Sequence, residues 1–339
     1  MTRPVLLVGS IPLPSSDVVF REVSERIGAA VRRVPDGETD ARAAWTAWQG
    51  AVVERTQGVV RIGERDLNGI AYPTYGFAPG VAPRDIRFDN LGYAAAALAS
   101  YKIFSELRAR GFNRQARFQV SLPTPLAVVQ AFFFGNPALP EICQAYESVL
   151  LDEVDRILRS IPHHELSIQW DIAVEFHRIW EKPESDLARM FPNPALIATL
   201  ARVSDHIPEP VELGWHFCYG DAGHKHFVEP RDTAIMTTIA NRLAAATRRT
   251  VSWLHLPVPR DRDDKAYFAP LKGLALDPGT ALFLGLIHLT DGVDGTKRRM
   301  ASADQIVAGY GVATECGFGR RPPETILSLL DLHRAVADL

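Results

Sequence analysis

Val211-Glu212-Leu213-Gly214-Trp215-His216-Phe217-Cys218 reads as a short strand whose end carries chemistry. In an extended chain, residues two apart project to the same face. His216 and Cys218 therefore leave the strand side by side. An imidazole and a thiolate presented together suit a metal chelate, and nitrogen with sulfur suits zinc. A His-x-Cys pair alone is a weak signal, so the rest of the chain decides its weight.

The same pattern recurs outward from this strand. Val5–Gly9, Val31–Val34, Phe118–Leu122, Leu166–Asp171, Thr250–His255, Leu282–Leu289 and Gly311–Glu315 are short apolar or alternating runs. Helical stretches at 17–30, 40–56, 91–111, 139–161, 194–204, 230–247, 302–309 and from about Pro323 fall among them. The segment 58–90 differs: Gly69, Pro73, Gly76, Pro79, Gly80 and Pro83 mark a long loop or lid with room for a hairpin. The continuous alternation, with no composition shift to mark a boundary, predicts an α/β fold. Its economical form is a single (β/α)8 TIM barrel, one catalytic domain over residues 1–339. An open doubly wound sheet is the alternative. In a barrel, polar residues at the C-terminal ends of strands face one mouth. Those ends carry Ser10, Glu38, Asp171, His216, Cys218 and His255, with Cys316 beside Glu315.

Composition narrows the function. The chain has 339 residues, 47% hydrophobic and 23% charged, with a net charge of −3, which leaves ample material for a core. No basic patch argues for nucleic acid. No apolar run is long enough for a membrane span, and Ser10, Pro12 and Pro14 break the N-terminal run before it resembles a signal peptide. A cytoplasmic protein is expected. Three cysteines, Cys143, Cys218 and Cys316, form no disulfide framework. Metal ligation by two of them is the sharper reading, and buried inert thiols the plainer one. Asp291, Asp294, Lys297, Arg298 and Arg299 read as a charge-rich loop: a solvated loop, or a basic rim for an anionic group.

His216-Phe217-Cys218-Tyr219 and Glu315-Cys316-Gly317 together resemble the zinc motifs of cobalamin-independent methionine synthase. In that family a His-x-Cys pair is joined by a Cys-Gly cysteine near the C-terminus. Gly9-Ser10, Asp36-Gly37-Glu38 with Arg42, and Gln169-Trp170-Asp171 resemble the family's substrate-contacting segments. The likeness covers nearly this whole chain but only the catalytic C-terminal half of the longer family enzyme. It is also similar to the wider superfamily that includes uroporphyrinogen decarboxylase and zinc thiol-alkyltransferases.

The resemblance implies zinc held by His216, Cys218 and Cys316, with Ser10, Glu38 and Asp171 binding the amino-acid part of a homocysteine-like thiol. The family's fourth zinc ligand is a strand-end glutamate. The matching strand here ends in His255, which is expected to replace it, with His224 and His226 as alternatives. The family's catalytic histidine follows an aspartate in an Asp-x-His run. The nearest match begins at Asp294 and lacks the histidine, so Asp294 and His288, the latter on the preceding strand, are the expected catalytic residues. No folate-stacking aromatic follows Pro123, so a donor other than methyltetrahydrofolate is expected, such as a methylated corrinoid or another methylated molecule. The implied activity is zinc-dependent methyl or alkyl transfer to a small thiol. The alternatives are a metal-free decarboxylase-like lyase, and a non-catalytic zinc barrel that binds a methyl-carrier protein.

Overall fold

The computed structural model describes residues 2–67, 70–176, 194–220 and 229–339. Its centre is a curled sheet of seven parallel strands surrounded by helices. In chain order the strands are β1 (Arg33–Pro35), β2 (Val59–Leu67), β3 (Ile70–Phe77), β4 (Arg117–Pro123), β5 (Leu166–Ile172), β6 (Glu212–Phe217), β7 (Trp253–Pro257), β8 (Ala281–Ile287) and β9 (Gly311–Thr314). The sheet runs β1-β4-β5-β6-β7-β8-β9, and β2 and β3 form a separate antiparallel hairpin.

The expected first strand, Val5–Gly9, is not a paired strand of this sheet. Val5 instead makes isolated parallel bridges to Val31, next to β1, and to Val312 in β9. Both edges of the sheet therefore meet one segment. The next carbonyls of that segment are taken by side chains rather than by a ladder. Gln119 Nε2 reaches the Leu7 and Val8 oxygens, each at 3.0 Å. Ser121 Oγ and Gln169 Nε2 also donate to Val8, at 2.9 and 2.6 Å. Backbone polar groups need partners, and here the interior side chains of β4 and β5 supply them.

Parallel strands flanked by helices are buried on both faces, and all seven residues of β5 are buried. The register sets the interior in rows. Gln169, Gly214 and Trp253 are level with one another across β5, β6 and β7. Two residues on, Asp171, His216 and His255 form the next row, toward the C-terminal ends. Gly214 is required by its neighbour: a Cβ there would lie 1.8 Å from the Trp253 indole. Below that row Arg33 stacks over the Trp253 ring at 4.2 Å and pairs with Glu212 at 2.5 Å, closing the N-terminal end of the interior.

Several helices start where the chemistry of their ends requires. Ser15 caps α1 (Ser16–Ile27) through Val18 N. Thr124 caps the helix Pro125–Phe132 by accepting from Ala127 N, with proline at its first position. That helix is an addition to the sequence reading. The predicted helix over 40–56 is instead two 3-10 turns, Asp40–Ala44 and Ala47–Gln49, followed by the short helix Gly50–Arg55. Among the described residues, no helix is long and apolar enough to cross a membrane.

The charge-rich segment after β8 corrects the sequence reading. It is a helix, Gly292–Ala303, and the expected helix over 302–309 is absent: residues 304–309 are turn and irregular chain. Arg299 is no rim residue but is fully buried. Its guanidinium donates to the Leu286 and Arg260 carbonyls at 2.9 and 2.7 Å, and to both oxygens of Asp291 at 2.7 and 2.8 Å. Asp291 is partly exposed and also lies 3.7 Å from Arg298, so the loss falls mainly on the buried hydrogen bonds of the guanidinium. Arg299→Leu is expected to lower unfolding stability by about 1–3 kcal/mol. Denaturant unfolding checks this against Arg298→Leu, whose exposed side chain should cost little.

Candidate metal centre

β6 delivers His216, and the chain continues extended to Cys218, whose N–H bonds the Ile172 carbonyl at 3.1 Å. Both side chains are buried. Cys316 arrives two residues beyond β9. Gly317 and Gly319 let this loop lie against Ser10: a Cβ on Gly317 would meet Ser10 Oγ at 2.4 Å. Ser10 O accepts from Phe318 N at 2.7 Å, and Ser10 Oγ from Gly319 N at 3.2 Å.

These loops bring three donor atoms together. Cys218 Sγ lies 3.6 Å from Cys316 Sγ, and Cys316 Sγ lies 3.8 Å from His216 Nε2. All three donor atoms lie within 4.8 Å of one another. With Zn–S near ~2.3 Å and Zn–N near ~2.0 Å, tetrahedral geometry puts two sulfurs about 3.8 Å apart and sulfur and nitrogen about 3.6 Å apart. Soft sulfurs and an imidazole are also the donor types zinc prefers. The residues present fit the ion.

His255 does not join this cluster. Its Nδ1 is 2.7 Å from His216 Nδ1, and its Nε2 is 3.0 Å from the Thr314 carbonyl. Both nitrogens are engaged, so the expected fourth ligand stands behind the third donor instead. Burial pushes the His255 imidazole down to about 4, against smaller upward effects of the Thr314 bond and Glu315. Burial, then His255, holds His216 well below its ordinary value. Both rings are neutral near pH 7. His224 and His226 lie outside the described residues.

The three donors line a cavity of about 880 Å³, counting the part open to solvent. Ser10, Glu38, Trp45, Tyr72, Asp171 and Arg320 contribute to its remaining wall. Glu38 follows a turn built on Asp36. One Asp36 oxygen accepts from Glu38 N at 2.9 Å, and the other from Arg42 at 2.8 Å and Ser100 at 2.7 Å. Glu38, Asp40 and Trp45 all have φ near +50 to +60°, a conformation side-chain-bearing residues seldom adopt. Strain of this kind costs about 1–3 kcal/mol per residue and gathers at functional sites.

The two carboxylates of the wall oppose each other. Burial first, and Asp171 second, push Glu38 up to about 8. Burial pushes Asp171 up to about 7, against hydrogen bonds from Gln169 and Trp45 that favour its charged form. Near neutral pH the pair retains a proton. Behind it Glu175, fully buried, accepts from Thr124 Oγ1, while its Oε2 has no partner among the described residues.

His288 and Asp294, expected to be catalytic, do not line the cavity. His288 is buried with Nε2 on the Val258 carbonyl at 2.9 Å and Nδ1 3.7 Å from Glu315. Asp294 is exposed in the first turn of Gly292–Ala303. Conversely, Tyr72, Arg320 and Glu175 escaped the sequence reading. Arg320 was visible within the Cys316-Gly317-Phe318-Gly319-Arg320 run. Tyr72 sits on the β2–β3 hairpin, inside the Gly- and Pro-rich stretch, where no periodicity marks it. Trp45 lies in the wall as well.

No family model matches this sequence, and no curated protein does. Among solved structures the chain is similar to a B12-independent methionine synthase from a Shewanella species, solved in complex with selenomethionine. That likeness covers 100% of this chain and 97% of the other, with TM-score 0.61 and 14% identity. A methyltransferase from Methanosarcina mazei is similar over 99% of this chain and 94% of that one, with TM-score 0.60 and 11% identity. At these identities the likeness is one of fold.

Proposed function

We propose that this protein transfers a methyl, or other alkyl, group to the sulfur of a small amino-thiol resembling homocysteine, at a zinc ion held by His216, Cys218 and Cys316. The observation that carries this reading is the convergence of those three donors, at zinc-compatible spacing, in one cavity with the carboxylates of Glu38 and Asp171. The shared fold with methionine synthase and methyltransferase structures supports it, as does the selenomethionine bound by one of those neighbours.

Bound zinc would hold the substrate sulfur as a thiolate at neutral pH, where a free thiol with pKa near ~8.5 is mostly protonated. The chain's residues do the remainder. Glu38 and Asp171 receive the substrate ammonium by charge-assisted hydrogen bonds. Ser10, clamped to the Cys316 loop, completes that wall. Trp45 and Tyr72 supply apolar surface that limits water around the reacting sulfur. The substrate S–H proton is released, the sulfur forms the new S–C bond, and the donor departs with the electron pair of the bond that breaks. A methylated corrinoid or a methylated small molecule fits the donor role. The reading also takes the Val5 segment as the eighth stave of a (β/α)8 barrel forming one domain, and the 58–90 hairpin region as a lid.

Protein purified without chelator should contain about one zinc per chain. It should S-methylate homocysteine when offered methylcobalamin or a methylsulfonium donor, lose that activity on chelation, and regain it with zinc. Equal transfer by metal-free protein, or no S-methylated thioether with either donor class, would refute the proposal.

A further inference from the structure

We infer that His255 is a positioning residue rather than a metal ligand, and that it leaves one coordination position of the zinc site free of protein for the incoming thiol. This rests on the zinc reading above. Thr314 O can only accept, so the His255 Nε2 at 3.0 Å carries a hydrogen. In a neutral ring Nδ1 is then bare. It lies 2.7 Å from His216 Nδ1, so the hydrogen between them belongs to His216. His216 Nε2 is left with its lone pair, and that atom is the one 3.8 Å from Cys316 Sγ. One backbone oxygen thus fixes, through two rings, which nitrogen of His216 can bind metal.

The same residue ties the two halves of the site. Thr314 Oγ1 donates to the Cys316 carbonyl at 2.6 Å, while its own carbonyl holds His255. The relay His216–His255–Thr314–Cys316 spans β6, β7 and β9 and sets the imidazole relative to the sulfur. An outer partner that orients a ligating histidine is worth about 10–100-fold in metal affinity. With His255 so engaged, the described residues offer zinc three donors, the number that characterises a catalytic site with an open position. The substrate sulfur would then enter without displacing a side chain.

X-ray absorption on the zinc-loaded protein tests this, with zinc affinity measured by chelator competition. Wild type should show two sulfurs and one imidazole. Added homocysteine should raise the sulfur count to three while the imidazole count stays at one. His255→Ala should keep one imidazole yet bind zinc about 10–100-fold more weakly. His255→Gln, whose amide oxygen can accept from His216 Nδ1, should recover most of that affinity, and it serves as the readout should the alanine variant misfold. Two imidazoles in wild type, whether or not His255→Ala loses one, would overturn the inference. So would unchanged affinity in folded His255→Ala. Failure of wild type to bind zinc at all would instead remove the functional proposal on which this one rests.

Discussion

Cys316→Ser protein is expected to bind zinc about 100-fold more weakly than wild type and to lose thiol methylation with it. Protein-bound zinc held by four donors is worth roughly 10–16 kcal/mol near pH 7, or about 3 kcal/mol per donor. At about 1.4 kcal/mol per tenfold, one lost donor is about two orders of magnitude. Serine keeps the shape of cysteine but not its anion at neutral pH, so the effect falls on the charge facing the metal. Cys218→Ser should behave alike, because its sulfur lies 3.6 Å from that of Cys316 in the same cluster. Cys143→Ser is the control: it lies on the helix Leu139–Ser160, outside the donor cluster, and should leave zinc content unchanged. Chelator competition and metal analysis give the readout. Zinc retention at the wild-type level by both Cys218→Ser and Cys316→Ser would show that neither sulfur holds the ion.

That cluster was legible because strand pleating is a strict rule. Residues two apart share a face, so His216 and Cys218 had to emerge together, and a cysteine at another strand end had somewhere to meet them. The role of His255 was not legible, although its row was. His216 and His255 are register partners. Whether an imidazole in that row turns toward a metal or toward its neighbour depends on side-chain torsions and on a carbonyl from β9. The helix Gly292–Ala303 was missed for a different reason. It buries Gly295, Thr296 and Arg299 along with Met300 and Ala303, so its inward stripe is not hydrophobic and gives no apolar period. The cavity wall at 38–45 resisted because its turns rest on positive φ at Glu38, Asp40 and Trp45, residues whose types do not announce it. At Val5–Gly9 the apolar run was visible, but side chains of Gln119, Ser121 and Gln169 took the Leu7 and Val8 carbonyls.

Asp171→Asn and Glu38→Gln should raise KM for an amino-thiol by about 10- to 100-fold each, since a hydrogen bond to a charged group is worth about 1.5–3 kcal/mol. KM for a thiol of similar size that lacks the amine should barely move. The pH dependence has a definite sign. The folded pair titrates at about 8 and about 7, while unfolded glutamate and aspartate titrate near ~4.3 and ~3.9. An ammonium ligand favours the ionised pair, so the wild-type KM for the amino-thiol should fall as pH rises from about 6 to about 8. Stability runs the other way. Between the unfolded and folded values the folded chain binds more protons, so its unfolding free energy declines as pH rises through that window. Glu38→Gln removes one carboxyl from the buried pair. Relative to wild type it should therefore gain stability at pH 8 over pH 5, while binding the amino-thiol worse at both. Denaturant unfolding at the two pH values, paired with KM for thiols with and without the amine, separates this from a merely structural role. A structural role would weaken both thiols equally, whereas the pH-dependent gain follows from the raised titration and reports the burial of Glu38. An amine-independent rise in KM would therefore reject the assignment of these carboxylates to the substrate ammonium.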